Sequence, residues 1–209
     1  MDGHLVICIG RQFGSGGHEI GQGLSEKLGI PFYDKEILKK AAEESGILPE
    51  LFEQADEKPT NSLLYSLSTG AHGHTVTYSN YNAYLTNDRL FSFQSDTIRR
   101  LAEKESCIIV GRCADYILRG RKDVLSVYIH APMELRIQRI CRVRNLEEDA
   151  ARSLIKKTDR SRANYYNFYA DHDWGAADSY DLSINSGKLG VARAVELLAG
   201  VAEHLAVQE

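Results

Sequence analysis

Four glycine residues stand close together near the N-terminus, directly after an apolar run. They are Gly10, Gly14, Gly16 and Gly17, and the residues before them, 5–9, read LVICI. Glycine has no Cβ atom, so it allows positive φ angles and lets several backbone amides converge on one anion. A helix that begins after such a loop adds its own N-terminal amides to an anion site. The pattern indicates either a phosphate-binding loop or a tight turn between a strand and a helix, and the glycines alone leave both open.

The loop departs from the standard phosphate-loop pattern, in which Gly, four residues and Gly precede Lys and Ser or Thr. When Gly16 is placed at the glycine before the lysine, Gly17 falls at the lysine position and His18 at the hydroxyl position. The ammonium that bridges phosphates and the hydroxyl that binds magnesium are both missing. We therefore expect the cations to come from other parts of the chain. The predicted phosphate-binding residues are Arg11, Gly14, Ser15, Gly16, Gly17, His18 and Glu19.

Two charged residues follow predicted buried strands, at the position where parallel sheets bind ligands. Arg112 comes after the apolar residues 107–110 (CIIV), and its guanidinium suits a phosphate because it can hold two oxygens at once. Asp115 is close enough in sequence to orient it, and the alternative is an arginine on the surface beyond the strand. Asp34 ends the short segment 30–34 (IPFYD). It either orients a ligand or caps the following helix, and both interpretations remain open.

The hydrophobic pattern predicts a single α/β domain with a parallel sheet. Short apolar runs alternate with helical periodicity along most of the 209 residues, a length that suits one compact domain. The predicted strands are residues 5–9, 30–34, 107–110, 124–130 and 181–185. The predicted helices are residues 17–28, 35–44, 49–55 and 189–207, with others beginning near residues 88, 132 and 147. Runs that are apolar throughout are typical of strands buried on both faces.

Residues 45–87 form the least regular part of the sequence. Serine, threonine, glycine, histidine and asparagine are frequent after Pro59, with tyrosines interspersed. A long irregular stretch inside a compact domain is more often a functional flap or a substrate-binding insertion than a plain connection. His72 and His74 flank a glycine, but two histidines without a third ligand nearby are weak evidence for a metal. We predict no metal site formed by the chain itself.

Arginine residues are concentrated between residues 99 and 162, and two predicted helices that begin near residues 132 and 147 carry many of them. Two such helices joined by a short turn could form a hinged flap that closes cations over phosphates. The alternative is a solvated basic face. The aromatic residues within 165–169 would suit stacking on nucleic-acid bases. Because the net charge is −4, nucleic-acid binding is a minor alternative.

Composition indicates a folded protein of the cytoplasm. Hydrophobic residues make up 43% and charged residues 26% of the chain, which argues against disorder. The chain has no apolar run near the roughly 20 residues that span a bilayer, and its first residues, MDGH, lack the basic region of a signal peptide. The four cysteines have no CxxC spacing, which favours reduced, structural thiols. We expect neither a membrane nor a nucleic acid as partner.

Several sequence blocks together resemble the cytidylate-kinase-like proteins, a branch of the P-loop nucleoside monophosphate kinases. The blocks are residues 13–20 (FGSGGHEI), 29–36 (GIPFYDKE) and 109–118 (IVGRCADYIL), and residues 159–166 (DRSRANYY) complete the set. The second and third blocks are long enough to be specific, and the resemblance covers nearly the whole chain. It implies one P-loop kinase domain over residues 1–209, a three-layer α/β sandwich with a parallel central sheet and helices on both faces. An acceptor-binding insertion at 35–87 and a helical lid at 142–170 are also implied.

The resemblance further implies roles for individual residues. Ordinary cytidylate kinases bind the acceptor nucleotide at a Gly-Arg-Asp turn. Gly111 and Arg112 match that turn, whereas Cys113 replaces its aspartate and leaves Asp115 as the nearest carboxylate. The implied catalytic residues are Arg139, Asp159, Arg160 and Arg162. The implied acceptor-binding residues are Asp34, Arg89, Arg112 and Asp115.

These features favour transfer of a phosphoryl group from ATP, with Mg2+, to a nucleoside monophosphate such as CMP or dCMP. Two alternatives remain open. A nucleotide-binding sensor without kinase activity would explain the missing loop lysine, and a kinase of a non-nucleotide metabolite would make use of the irregular insertion. The expected partners are ATP and a small phosphorylated acceptor, and the chain is expected to be a monomer or a homodimer.

Overall fold

The computed structural model describes residues 4–46, 56–57 and 78–206, and a parallel sheet of five strands lies at the centre of this part. The strands are β1 (Val6–Arg11), β2 (Phe32–Tyr33), β3 (Cys107–Val110), β4 (Val124–His130) and β5 (Leu182–Asn185). They lie in the order β2-β3-β1-β4-β5, and all neighbouring pairs are parallel. The carboxyl ends of β1, β2 and β3 therefore meet at one edge of the sheet.

Helices connect the strands and cover both faces of the sheet. They are α1 (Gly17–Leu28), α2 (Glu36–Ser45), α3 (Tyr78–Lys104), α4 (Ala114–Ile117), α5 (Met133–Arg144), α6 (Glu148–Tyr169), α7 (Ser186–Leu189) and α8 (Val191–Ala206). A short 3-10 helix covers Ala177–Ser179.

The residues of β1 alternate between two hydrophobic cores, as the period of a strand requires. Ile7 and Ile9 lie in the core that α1 and α8 cover, and Val6 and Cys8 lie in the core that α3 and α6 cover. All of β1 is buried. Burial of one aliphatic side chain stabilises a fold by about 1.5–3 kcal/mol, so these cores fix the strand whose end carries the glycine loop.

Most of the predicted helices and strands are confirmed. Their ends differ where polar residues obscure the hydrophobic pattern. Strand 124–130 has the predicted bounds, and Gly29 ends α1 with a φ of 68° and an amide bonded to the Ser25 carbonyl oxygen. Helix α3 begins at Tyr78 rather than near residue 88, because its first turns are rich in Asn, Ser and Thr, which give weak helical signals.

Two further differences lie at tight turns. The predicted closing helix 189–207 is divided at Gly190, whose φ is 78°, into α7 and α8. The short helix α4 was not predicted from the sequence. The predicted helix 49–55 and the pair His72 and His74 lie outside the described residues. The division into an insertion at 35–87 and a lid at 142–170 stays a prediction.

The described cysteines are free thiols, and three of them, Cys8, Cys107 and Cys113, are buried. Burial raises the pKa of the Cys113 thiol well above its usual range, so the thiol stays protonated and unreactive although it lies beside the site. Within the described ranges, the helices lack the combination of length and apolar character that crossing a membrane requires.

Candidate functional site

The glycine loop joins β1 to α1 at the carboxyl edge of the sheet. Gly14 has a φ of 80° and Gly16 a φ of 85°, and Gly16 is the N-cap of α1. The Ser186 hydroxyl, directly after β5, donates to the Ser15 carbonyl oxygen at 2.5 Å and fixes the loop. The first amides of a helix have no partner within that helix, so those of α1 are available to an anion in front of the loop.

Gly17, at the lysine position of the standard pattern, faces the side chain of Arg11. A Cβ atom built on Gly17 would lie 2.6 Å from the Arg11 Cβ and 3.1 Å from the Arg11 Cγ. The Cβ of Arg11 is fixed to the buried strand β1 and has no freedom to move aside. The stem of Arg11 therefore occupies the space that a lysine at position 17 would need.

Three arginines from separate elements surround the carboxylate of Glu57. Arg11 donates through Nη1 to Oε1, and Arg162 of α6 donates through Nε to Oε2 at 2.8 Å. The backbone amide of Arg112 also faces Oε1, at 3.4 Å. Arg162 further donates through Nη1 to the Arg11 carbonyl oxygen at 3.2 Å, which ties α6 to the end of β1.

The arginine cluster needs a negative charge at its centre. Burial raises the pKa of Glu57, but Arg11, Arg162 and Arg112 lower it more, so this carboxyl has a pKa well below its usual range and stays ionised. Burial and the like charge of Arg11 lower the pKa of Arg162. The two guanidinium groups repel one another, and the anion between them offsets that repulsion.

Arg112 lies on a turn of three consecutive left-handed residues after β3. The φ angles are 74° at Gly111, 56° at Arg112 and 55° at Cys113. A left-handed conformation costs a non-glycine residue roughly 1–2 kcal/mol. The Arg112 side chain is only 1% exposed, so the predicted alternative of a surface arginine is wrong. Strained backbone of this kind is typical of functional sites, where surrounding contacts hold it.

Carboxylates hold the Arg112 side chain under this turn. Nη1 donates to Asp34 Oδ1 at 2.8 Å and to the Val110 carbonyl oxygen at 3.0 Å, and Nη2 donates to Asp56 Oδ2 at 3.2 Å. Burial lowers the pKa of Arg112, but Asp56, Glu57 and Asp34 raise it more, so the guanidinium is charged.

Asp34 connects the Arg112 turn to the glycine loop. Its second oxygen, Oδ2, lies 2.9 Å from His18 Nδ1. Burial raises the pKa of Asp34, but Arg112 and Arg11 lower it more, so the net pKa is below the usual range. The N-cap of α2 is Lys35, without a side-chain capping bond. The capping interpretation of Asp34 is therefore wrong, and its orientation of a ligand stays a prediction.

Two arginines of α5 contact the glycine loop. Arg139 donates through Nη1 to Glu19 Oε2 at 2.5 Å, and its guanidinium lies against Gly16. Arg136 donates through Nη1 to Asp159 Oδ2 at 2.5 Å, and Asp159 Oδ1 accepts from the Phe13 amide at 2.7 Å. Asp159 therefore holds α6 against the loop.

The structure brings together only part of the predicted site. The loop, the ends of the strands and α6 gather the predicted residues Arg11, His18, Asp34, Arg112 and Arg162. Arg89 and Arg160 are exposed on α3 and α6. Asp115 accepts from the Tyr166 hydroxyl at 2.6 Å, whereas the side-chain carboxylates that hold Arg112 are Asp34 and Asp56.

Sequence reasoning missed Asp56, Glu57 and Gln94. Glu57 pairs with partners 46 and 105 positions away. Gln94 donates to the Tyr165 hydroxyl at 3.0 Å and faces the Arg112 carbonyl oxygen at 3.4 Å. These residues carry no motif, and such long-range pairs leave no local signal. A weak local signal for Glu57 is its neighbour Asp56, because two adjacent carboxylates stand there within an irregular stretch.

Asp115 gives a prediction on pH-dependent stability. Burial raises the pKa of Asp115, although the Tyr166 hydroxyl and nearby backbone amides lower it, and the net pKa is above the usual range. When folding raises the pKa of a carboxyl, the free energy of unfolding of the protein falls as pH rises from the unfolded pKa of about 3.9 through the folded value. Asp115→Asn is neutral throughout and should raise the free energy of unfolding at pH 7 by on the order of 1 kcal/mol. Urea unfolding at pH 3.5 and pH 7 checks this, and a gain of equal size at both values would contradict it.

Comparison with known proteins relates the chain to a kinase family. The model of the cytidylate kinase-like family matches residues 6–188. A cytidylate kinase from Methanobrevibacter smithii is 27% identical over 187 residues, which cover 87% of this chain and 89% of that protein. The crystal structure of an uncharacterized protein from Eubacterium ventriosum has a TM-score of 0.70 at 29% identity and covers 96% of this chain and 99% of its own.

A more distant solved structure confirms the P-loop kinase fold. It is a shikimate kinase from Bacteroides thetaiotaomicron, with a TM-score of 0.53 at 15% identity, covering 95% of this chain and 98% of its own. At this identity the likeness concerns the fold alone. The predicted parallel sheet with helices on both faces is confirmed.

Proposed function

Because this chain belongs to the cytidylate kinase-like family, we propose that it transfers the γ-phosphoryl group of ATP to a nucleoside monophosphate. An oxygen of the acceptor phosphate attacks the γ-phosphorus. The bond from that phosphorus to the oxygen bridging it to the β-phosphate breaks, and ADP leaves with the bridging oxygen. The acceptor becomes a nucleoside diphosphate. Such a reaction needs positioning and neutralisation of negative charge rather than covalent work by the protein.

The observation that carries this proposal is the convergence of three arginines beside the glycine loop. Arg11, Arg112 and Arg162 come from β1, the turn after β3 and α6. Arg11 and Arg162 contact the Glu57 carboxylate through their guanidinium groups, and Arg112 contacts it through its backbone amide. Positive groups fixed in a buried site stabilise charge that develops on a transferring phosphoryl group. A site with amides on one side and arginines on the other fits a pair of phosphorylated substrates.

The loop and its arginines suit the donor. In this proposal the amides of the loop and of α1 hold the phosphates of ATP, and Arg11 supplies the charge of the missing lysine. Arg139 adds a second cation, since its guanidinium already lies against Gly16. Within the described ranges no cluster of three or more His, Cys, Asp or Glu residues could hold a metal. Magnesium would enter with ATP as part of the substrate and would neutralise charge on its phosphates.

The turn after β3 suits the acceptor. Arg112 matches the arginine of the family's acceptor turn, and Asp34 holds it at 2.8 Å. The proposed acceptor is CMP or dCMP, because the relatives matched by sequence are named cytidylate kinases. The insertion would contact the base, and most of it lies outside the described residues.

A coupled assay of ADP release tests the proposed activity. Purified protein is incubated with ATP and Mg2+ and with CMP, dCMP, UMP, AMP, GMP or shikimate in turn. The expected result is magnesium-dependent ADP release with CMP or dCMP above the rate without acceptor. Release with shikimate alone would favour a metabolite kinase. Binding of ATP without release for any acceptor would favour a sensor, which the glycine at position 17 would explain.

Arg162→Gln should lower kcat about 100-fold, with a smaller effect on KM for ATP. Removal of one donor that stabilises transition-state charge typically costs 100- to 1000-fold in kcat. Lys156→Gln is the matched control, because Lys156 is an exposed cation on the same helix, α6. Steady-state kinetics of both variants checks the prediction, and equal activities would remove Arg162 from the reaction.

A further inference from the structure

We propose that Glu57 is an internal substitute for a phosphate group, held between Arg11 and Arg162 in the ligand-free protein. A phosphate dianion must displace the Glu57 carboxylate to bind there, so Glu57 weakens the binding of the ligand that carries it. This inference rests on the proposed function only in naming that ligand as one of the two phosphorylated substrates. The competition for the site does not depend on catalysis.

The contacts of Glu57 are those that two phosphate oxygens would make. Oε1 accepts from Arg11 Nη1 and faces the Arg112 amide at 3.4 Å, while Oε2 accepts from Arg162 Nε at 2.8 Å. Each oxygen thus has its own guanidinium donor, with a backbone amide added. Charged hydrogen bonds from arginine to carboxylate and to phosphate share this geometry.

The charges around the cluster support displacement by a dianion. Arg11, Arg112 and Arg162 are balanced by Asp34, Asp56 and Glu57, which are joined to them by ion pairs. Asp56 and Glu57 are adjacent in the chain, so one backbone shift removes both. Of these three carboxylates, Asp34 alone would then remain to balance three guanidinium groups, which leaves two positive charges in excess. A phosphate monoester carries about −1.5 to −2 at neutral pH and matches that excess.

Burial makes an anion at this position necessary. The side chains of Arg11, Glu57 and Arg162 are 10%, 13% and 15% exposed. Like charges at such a site repel strongly because water screens them poorly. The cluster is therefore stable with Glu57 in place or with a phosphate in place, and the two exchange.

The cluster also lines a narrow cavity together with aromatic side chains. The lining includes Arg11, Glu57, Arg112 and Arg162 as well as Tyr165, Tyr166, Trp174 and Tyr180. A ligand has little free room there while Glu57 is present. Entry of a phosphate and departure of the carboxylate are therefore one event.

Calorimetric titration with inorganic phosphate tests the proposal. Wild type, Glu57→Gln and Asp123→Asn are compared at pH 7.5, in a buffer without other multivalent anions. Asp123 is a matched control, since its carboxylate pairs with Arg121 at 2.5 Å, away from the arginine cluster. We expect Glu57→Gln to bind phosphate at least about tenfold more tightly than wild type and Asp123→Asn to bind it equally. The gain should disappear in Glu57→Gln combined with Arg162→Gln.

Unchanged or weaker phosphate binding by Glu57→Gln would overturn the proposal, because Glu57 would then hold the arginines in place rather than compete. Should the variant fail to fold, amide hydrogen exchange on the wild type decides the matter. Excess phosphate should speed exchange in peptides containing Glu57 and slow it in peptides containing Arg112. Slower exchange in both, or no change in either, would equally overturn it.

The kinase assay separates this proposal from the proposed function. If the protein has no kinase activity but Glu57→Gln binds phosphate more tightly, the competition by Glu57 is supported and the proposed function is wrong. If the protein is an active kinase but Glu57→Gln binds phosphate no more tightly, the proposed function is supported and the competition by Glu57 is wrong.

Discussion

Gly17→Lys, although it restores the lysine of the standard phosphate loop, should abolish activity rather than increase it. A Cβ at position 17 would stand 2.6 Å from the Cβ of Arg11, and that atom is anchored to the buried strand β1. Even Gly17→Ala should lower the free energy of unfolding by about 1–3 kcal/mol, the usual cost of overpacking a well-filled site. Urea unfolding measures the stability, and ADP release measures the activity.

Gly200→Ala is the control for the change of residue type. Gly200 lies within α8, and a Cβ there meets no atom within 4 Å. This substitution should stabilise the protein by roughly 0.5–1 kcal/mol, because alanine has the higher helix propensity. Equal stability changes at positions 17 and 200 would show that the contact with Arg11 is unimportant.

A double substitution tests whether Arg11 has replaced the loop lysine. Arg11→Gly should lower kcat about 100-fold, since it removes a cation from the site. In Arg11→Gly combined with Gly17→Lys, the Cβ and Cγ of residue 11 no longer lie beside position 17, so the lysine has the space it needs and part of the activity should return. Residues in contact give non-additive effects. Additive losses in the double variant would argue against an exchange of roles between positions 11 and 17.

The centre of the sheet could be predicted from the sequence because β1 and β3 are buried on both faces. Such strands are continuous apolar runs, as in residues 6–9 of β1 and in β3, and a few residues are enough to locate each of them. The start of α3 was misplaced, because Asn, Ser and Thr in its first turns obscure the helical period. Tertiary packing, rather than local pattern, decides whether such a segment is helical.

The site was predictable where a residue follows a strand and not where it pairs at long range. Arg112 and Asp34 could be assigned because the carboxyl ends of parallel strands collect ligands. Glu57 could not, since its partners Arg11 and Arg162 are 46 and 105 positions away. Likewise, the proposed replacement of the loop lysine by Arg11 rests on a contact between atoms fixed to the backbone. The missing lysine was visible in the sequence, and this contact was not.

Arg112→Ala should be the most destabilising single change in the site. It would leave Asp34 and Asp56 without the guanidinium that both contact under the strained turn. Breaking a buried ion pair by removal of one partner typically costs about 3–5 kcal/mol. Arg99→Ala is the exposed control, as Arg99 and Asp96 are about half exposed at 51% and 53%. For Arg99→Ala we expect the free energy of unfolding to fall by less than about 1 kcal/mol. Urea unfolding at pH 7 measures both variants.

The dependence on pH identifies the cause of that loss. Arg112 and Arg11 lower the folded pKa of Asp34 although burial raises it. The ion pair therefore contributes stability above the unfolded pKa of about 3.9, and the contribution is lost as pH falls through the folded value. The difference in free energy of unfolding between wild type and Arg112→Ala should be largest at pH 7. It should shrink below about pH 4, where the unpaired carboxyls take up protons. Arg112→Lys should recover little at pH 7, because an ammonium lacks the planar fork that reaches two carboxylates. A gap that does not change with pH would trace the loss to packing in the turn rather than to charge.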